Sequence, residues 1–456
     1  MASGEEETQT SLLLQKCQDF VSFCKESKKR PLEDTKQIPK EKKIKIEIPD
    51  EVWLKIIGFM DTQDVFCRFA LVCKRFKSLT SDPTAIKRLL INHRNVQKRD
   101  SPKFRMLLNK NRTMVEFTLV KACLTTATFV ISVALKSNPK LKSLKILNHT
   151  NCDCMHEMKE LVKCIKKFRP DLEHLELNYV EYNSDAITEL CTLKNLKSLK
   201  ISNGKKQVPD FIYSLANNCI KLENIALRSI LPHDFDTAMA WNHFLGKRRT
   251  TLKSIYINLN INSGTLGSYY ENLHFCKNIE ELSIRFDIEH FTVIPDLPNL
   301  KKLVLFNHAE PFIGCFQSIN LTNLKYLSFR NIFNIDKASF WTNVAMMHFP
   351  VLERLYFHTT QLHNSGDLEQ NSLQTLLLTN APKLKSIQFS GNIANDLKEM
   401  FLFDMFKNSN LLVIFGNSMK QLEMENYFKN RSTVLYEKYQ SKKLEFAKWC
   451  ENEIIF

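Results

Sequence analysis

The most constraining feature of this chain is a spacing. From residue 141 onward, leucine or its equivalent is followed after two residues by an apolar residue and, one residue further, by another. Ten copies occur. They are Leu141, Leu144, Ile146; Leu172, Leu175, Leu177; Leu196, Leu199, Ile201; Leu222, Ile225, Leu227; and Leu252, Ile255, Ile257. The others are Ile279, Leu282, Ile284; Leu300, Leu303, Leu305; Leu324, Leu327, Phe329; Leu352, Leu355, Phe357; and Leu384, Ile387, Phe389. Met114, Phe117 and Leu119 supply an expected first copy, and Leu411 to Ile414 a degraded last one. First positions are separated by 21 to 32 residues, averaging 27. So short a unit cannot bury its own apolar face, and units at such a period stack into a solenoid. The last two positions of each triplet are two apart, which puts both side chains of a short strand on one face. Helical spacing lies between triplets, clearest in Met155, Met158, Leu161, Val162 and Ile165. Each unit therefore predicts strand, turn and helix.

This pattern resembles leucine-rich repeats. The resemblance implies an α/β horseshoe, with a concave parallel sheet and convex helices. Side chains that alternate with the buried pairs point to the concave face. The column after each strand's last core residue holds Arg228, Asn258, Arg285, Phe306, Arg330 and His358. The neighbouring column adds Tyr256 and Tyr356, and a third supplies Tyr326 and Arg354. Strands about 4.8 Å apart would set Arg285, Phe306 and Arg330 in a ladder of roughly 10 Å. Arginine and aromatic residues dominate binding hot spots, and guanidinium forks suit carboxylate or phosphate. Arg228, Tyr256, Arg285, Phe306, Arg330, Arg354, Tyr356 and His358 are thus the candidate contacts for an acidic or phosphorylated segment of a protein substrate. The alternative is a solvated face, since every concave surface must expose something.

A second segment, IPDEVWLKIIGFMDTQDVFCRFALVCKRF from 48 to 76, has more apolar surface than it can bury alone. Pro49, Asp50 and Glu51 open a helix: proline gives up an amide that would be unpaired there, and the acids favour the positive end of the dipole. Val52, Ile56 and Phe59 form one apolar stripe and Trp53, Ile57 and Met60 another. Asp61 caps an expected second helix, and Leu71, Val72 and Cys73 lead into a third ending near Phe76. Three short helices in about 40 residues sit at the size where a domain needs outside help. In order and register these residues resemble the F-box, with Ile48 where leucine is common and Phe76 where tryptophan is common. The resemblance implies binding to a Skp-family adaptor, which joins a cullin and a RING protein in an SCF-type ubiquitin ligase. It places Ile48, Pro49, Val52, Trp53, Ile56, Phe59, Met60, Leu71, Val72, Cys73 and Phe76 at the adaptor. The position three before the first leucine is apolar or cysteine in seven of the ten repeats, including Cys219 and Cys276. That variant resembles the cysteine-containing repeats often joined to F-boxes. Together the two resemblances imply a non-catalytic substrate receptor that leads its target to ubiquitination and proteasomal degradation.

Composition narrows the remaining classes. Only 10 glycines are present, and no phosphate-loop, dinucleotide-binding or nucleophile-elbow motif occurs. No cofactor and no metal are expected. His149, Cys152, Cys154 and His156 form one tight group of soft ligands, but their spacing is not that of a zinc site, and an ordinary loop is the expectation. Thirteen scattered cysteines suit a reducing compartment, and the acidic N-terminus is not a secretory signal. The apolar run from 122 to 135 is too short to span a bilayer, so no membrane is expected. The net charge of +15 is spread over lysines flanking repeat positions, such as Lys140, Lys142, Lys145, Lys301 and Lys302, which read as solvated. Lys28 and Lys29, a ten-residue spacer, then Lys40, Lys42 and Lys43 resemble a bipartite nuclear import signal. The nucleus, the cytoplasm or both are the expected locations. A nuclear scaffold or nucleic-acid-binding solenoid is the competing class, and nucleic acid is the less favoured partner. The expected division is a flexible N-terminal region with a basic linker (1–45), the F-box (46–92), a linker helix region (93–112), the solenoid (113–418) and a C-terminal cap helix (419–456).

Overall fold

The computed structural model describes residues 49–59, 72–80, 82, 88–92, 113–120, 124–147, 155–178, 188–202, 209–228, 235–258, 271–286, 296–307, 321–330, 347–359, 380–391 and 412–415, with positions 425, 426, 429, 430, 440 and 443. Among the described residues two helices come first, α1 (Asp50–Phe59) and α2 (Lys74–Thr80). Thirteen strands follow in a single sheet, in sequence order. They are β1 (Arg88–Asn92), β2 (Glu116–Val120), β3 (Ser143–Leu147), β4 (His174–Leu177), β5 (Ser198–Ser202), β6 (Asn224–Arg228) and β7 (Ser254–Asn258). Then come β8 (Glu281–Phe286), β9 (Lys302–Asn307), β10 (Tyr326–Arg330), β11 (Arg354–Thr359), β12 (Ser386–Gly391) and β13 (Leu412–Phe415). Every pairing is parallel. Helices α3 (Leu124–Ser137), α4 (Met155–Phe168), α5 (Pro209–Asn218) and α6 (Phe235–Arg248) lie between strands, and a 3-10 helix spans Glu271–Phe275.

The leucine spacing is the register. Leu144, Leu175, Leu199, Ile225 and Ile255 fall in one row across five strands, and Ile146, Leu177, Ile201, Leu227 and Ile257 in another two residues on. The last two members of all ten triplets are no more than 2% exposed. Toward the C-terminal end the third member becomes phenylalanine. Phe329, Phe357 and Phe389 then stack with ring centroids 5.4 and 5.6 Å apart. The sheet begins one strand earlier than the copy expected at Met114. β1 lies at the end of the 46–92 segment, and Leu89 and Ile91 pair in register with Phe117 and Leu119. Ile86, Leu89 and Ile91 carry the repeat spacing, hidden because they fall at the end of the segment that reads as the F-box. At the other end Val413 and Phe415 pair in register with Ile387 and Phe389.

Three polar devices lock neighbouring units together. The cysteines three before the first leucine donate from buried thiols to carbonyls of the preceding unit: Cys219 Sγ to Cys191 O at 3.4 Å and Cys276 Sγ to Leu245 O at 3.7 Å. Burial pushes the Cys276 thiol up to about 12, so it stays protonated and able to donate. Where the cysteine is absent, asparagine or arginine does similar work. Asn138 Nδ2 donates locally to Ala134 O at 2.9 Å and closes the end of α3, and Arg169 Nε reaches back across units to Leu135 O at 3.0 Å. Arg248 likewise donates through Nε and Nη2 to Ala216 O near the end of α5.

The third device follows the first leucine of each triplet. That position reads Lys142, Glu173, Lys197, Glu223, Lys253, Glu280, Lys301, Lys325, Glu353 and Lys385. Each backbone amide from Glu173 on donates to the carbonyl of the same position one unit back, as in Glu173 to Lys142 at 2.9 Å and Lys385 to Glu353 at 2.8 Å. The side chains pair along the same line: Lys197 with Glu173 at 2.8 Å, Lys253 with Glu223 at 2.8 Å, Lys301 with Glu280 at 2.7 Å and Lys385 with Glu353 at 2.9 Å. The bond from Lys197 holds the Glu173 carboxyl below its ordinary range, helped by Lys142. Lys142 and Lys301, expected as diffuse solvated charges, are therefore rungs of a ladder.

Candidate functional site

The concave face has two unlike halves, and side-chain alternation along each strand decides what stands on it. Along its central row come Lys145, Glu176, Lys200 and Ala226, then Tyr256, Ser283, Val304, Ser328, Tyr356 and Gln388. In the first half the charges neutralise one another. Lys145 Nζ lies 3.1 Å from Glu116 Oε1. Glu176, only 4% exposed, accepts from Asn178 Nδ2 at 2.9 Å, and Asn178 Oδ1 accepts from Ser202 Oγ at 3.3 Å. Lys200 is the next cation in the row, and burial pulls its ammonium down to about 8 despite the attraction of Glu176.

The second half is built from cations on aromatic rings. Backbone register places Arg285, Phe306, Arg330 and His358 side by side across β8 to β11, as the column arithmetic requires. The Arg330 guanidinium sits between two rings, 5.7 Å from the centre of Phe306 and 5.3 Å from that of Tyr356. Its Nε donates to Ser328 Oγ at 3.4 Å. Tyr256 meets Phe306 edge to face at 5.8 Å, and Lys302 Nζ lies 5.2 Å over Tyr326. The His358 ring is parallel to that of Tyr356, and burial together with the Arg330 charge holds its imidazole below the ordinary range, so it is neutral at pH 7. Arg354 pairs in register with Tyr326. Arg228 stands opposite Asn258, one strand before this group.

Of these side chains Tyr256, Lys302, Tyr326, Arg330, Arg354 and Tyr356 line a basin of about 420 Å³ that runs from Ser198 to Gln388, and Arg228, Arg285, Phe306 and His358 stand outside its lining. Its floor is low where Ser283 and Val304 stand, both 6% exposed or less, and higher at Tyr256 and Tyr356 on either side. Sequence reading found the arginines and rings but passed over Lys200, Ser283 and Lys302. Strand alternation alone would have found them, since Lys200 occupies the row of Tyr256 and Lys302 the row of Tyr326.

The helical pair at the N-terminal side presents a different surface. The Trp53 ring meets Phe76 edge to face at 4.7 Å, and Ile57, Phe76 and Leu79 are buried. Arg75 Nε and Nη2 both donate to Asp50 Oδ1, at 2.8 and 2.5 Å, tying the start of α1 to α2. Cys73 caps α2, its Sγ accepting from the Phe76 amide at 3.4 Å. Beside it Val72 is 49% exposed, an apolar side chain turned to solvent next to an exposed thiol.

Residues 46–86 match the family model of the F-box domain. This chain joins an F-box to leucine-rich repeats. Among curated proteins it is similar to the NLR family CARD domain-containing protein 4 of Xenopus tropicalis, at 27% identity over 211 residues. That match covers 45% of this chain and 20% of the relative, so the chain spans about a fifth of the protein it resembles. Among solved structures it is similar to Rad7, solved in complex with Elc1 from yeast, at 15% identity and a TM-score of 0.48 over 89% of this chain and 93% of that one.

Within the F-box the expected adaptor residues divide. Val72 and Cys73 face outward and Pro49 is exposed. Val52 and Trp53 are half-buried, and Phe76 turns inward against Trp53. Ile48, Met60 and Leu71, the helix expected after Asp61, and the side chains of Ile56 and Phe59 lie outside the described residues. So do Lys28, Lys29, Lys40, Lys42 and Lys43, the loop cysteines Cys152 and Cys154, and most of the expected cap helix. Among the described residues no three potential ligands gather to hold a metal, and no helix is long and apolar enough to cross a membrane.

Proposed function

We propose that this chain is the substrate-recognition subunit of an SCF-type E3 ubiquitin ligase. The F-box holds a Skp-family adaptor, and through it a cullin and a RING subunit, while the concave face holds the target protein. The observation that carries the reading is the presence on one chain of an F-box with Val72 and Cys73 exposed and a solenoid whose concave basin is rimmed by Arg330, Arg354, Tyr256 and Tyr356. The mechanism is positional. Holding a target beside a charged conjugating enzyme raises the effective concentration of its lysines, so no residue of the receptor needs to do chemistry. The target segment is acidic or phosphorylated, to complement the cationic half of the concave face. The receptor works in the nucleus, the cytoplasm or both, with the lysines of 28–43 as the import signal.

The test is recovery of a Skp-family adaptor with the purified chain. Wild type is expected to retain it, and a Pro49→Ala, Trp53→Ala chain to lose it. Because Trp53 supports Phe76, a Val72→Glu chain is the cleaner comparison: it puts a charge on the exposed surface without opening the core. A wild-type chain that recovers no adaptor overturns the reading.

A further inference from the structure

The basin is more specific than a basic surface. Four cations line it, Lys200, Lys302, Arg330 and Arg354, against one carboxylate, Glu281, which accepts from Ser254 Oγ at 3.4 Å. The depression between the two tyrosines lies where the cations crowd. Register sets Glu281, Lys302, Tyr326 and Arg354 in one row along its edge, and Arg330, four residues on from Tyr326, lines it from the other side. Between them, on the floor, the Ser283 hydroxyl is 94% buried with its residue and finds no hydrogen-bond partner among the described residues. A buried hydroxyl without a partner is costly to leave in that state, and one facing a basin rimmed by cations is a donor in search of an anion.

We propose that the depression between Tyr256 and Tyr356 is a phosphomonoester site, taking a phosphorylated side chain of the target protein. The proposal rests on the concave face being the target-holding surface. Phosphate fits better than carboxylate for three reasons. A phosphomonoester brings a charge near −2 and three acceptor oxygens, against one charge and two oxygens for a carboxylate, and the basin holds an excess of three positive charges. Arg330 is held by its faces, so the two rings take up its charge while its outer N–H groups stay available at the edge of the plane, the geometry that forks onto phosphate oxygens. The floor is the third. It is made of the short side chains Ser283 and Val304, and it holds the Ser283 hydroxyl as a buried donor without a partner among the described residues. Lys200, whose ammonium is already partly desolvated, adds charge from the far side of Tyr256.

The chemistry is shared by phosphoserine, phosphothreonine and phosphotyrosine, and the test separates them. Fluorescent peptide pools with random flanks and a fixed central phosphoserine, phosphothreonine, phosphotyrosine or glutamate are titrated into the full chain, and anisotropy is read. At least one phosphorylated pool is expected to bind about tenfold tighter than the glutamate pool, and the one that binds tighter names the source. Arg330→Met and Ser283→Ala are each expected to erase most of that preference. Ser283→Ala removes one oxygen from the floor and leaves the packing intact, so it keeps the test sound if Arg330→Met folds poorly. Equal binding of phosphorylated and glutamate pools, or a preference that survives Ser283→Ala, overturns the site. Adaptor recovery is measured on the same preparations. A chain that recovers adaptor but ignores phosphate sinks the site alone, and one that binds phosphate without adaptor sinks the receptor reading alone.

Discussion

The two halves of the concave face share one backbone and treat their cations in opposite ways. On β3 to β5 the charges meet carboxylates and amides. Lys145 lies on Glu116, and Glu176 is held by Asn178. On β9 to β11 they rest on rings, Lys302 over Tyr326 and Arg330 between Phe306 and Tyr356. A carboxylate uses up the donors of the cation it neutralises. A ring attracts the charge through its quadrupole without accepting its N–H groups as a carboxylate does. The first half therefore balances its charge with carboxylate, and the second carries cations on rings. A binding surface on a repeat scaffold can be set by the partner chosen for each cation, with no change of backbone.

The comparison breaks if the halves do not behave as separable regions. Phe357→Ala removes the middle ring of the Phe329, Phe357, Phe389 stack, and a loss of about 3–5 kcal/mol is expected. In a solenoid each unit contacts only its neighbours, so hydrogen exchange should quicken in β10 to β12 while β3 to β5 keep their protection. Uniform loss of protection would mean that the array answers as one body.

Charge reversal sharpens the contrast. Arg330→Glu is expected to weaken phosphopeptide binding roughly a hundredfold, whereas Lys145→Glu changes it by no more than about threefold. Similar losses at both positions would show that overall charge, and not the ring-held geometry, governs binding.

Lys200 stands at the border of the halves. In its row Glu176 on β4 and Ala226 on β6 are its neighbours, Lys145 is one strand beyond Glu176, and Glu281 and Lys302 act from the second half. Its folded value of about 8 lies below the ordinary 10.5. Between those values the unfolded chain binds more protons, so wild-type stability gains from this group as pH rises from 8 toward 10.5. Lys200→Met should therefore stabilise the chain by about 1–3 kcal/mol at pH 7, and the advantage should shrink toward pH 10. Phosphopeptide binding should move the other way, weakening in wild type as pH passes 8. Urea unfolding and anisotropy at several pH values check both signs.

The smallest effect belongs to the first half. A double-mutant cycle on Lys145 and Glu116 is expected to give about 0.5–1 kcal/mol, falling in 1 M salt as a half-buried pair should. A much larger coupling would make this pair a structural anchor instead of a neutralised surface.

Much of this was legible before any coordinates. The triplets fixed every core row from β2 to β12, because a two-residue alternation and a leucine three residues earlier leave one register open. The rows of arginine and aromatic residues followed from the same arithmetic. What stayed hidden depends on contacts between units. Lys302 and Lys142 look alike in sequence, yet one lies over a tyrosine and the other on Asp171 and Glu173. Ser283 is chemically ordinary, and only the height of Tyr256 and Tyr356 turns it into a floor. Phe76 looked like a surface anchor, and its place against Trp53 depends on how α2 crosses α1.

The line of alternating lysine and glutamate has a consequence for how such an array can change. Opposite signs on successive units give each unit a parity. Deleting or duplicating one unit brings like signs together, and deleting or duplicating two restores the order. Lys301 and Lys325 are the one place along Lys142 to Lys385 where the parity slips. The slip falls between β9 and β10, inside the second half of the concave face. An array written this way tolerates growth in even steps, and the odd step it carries marks the segment where its composition changes character.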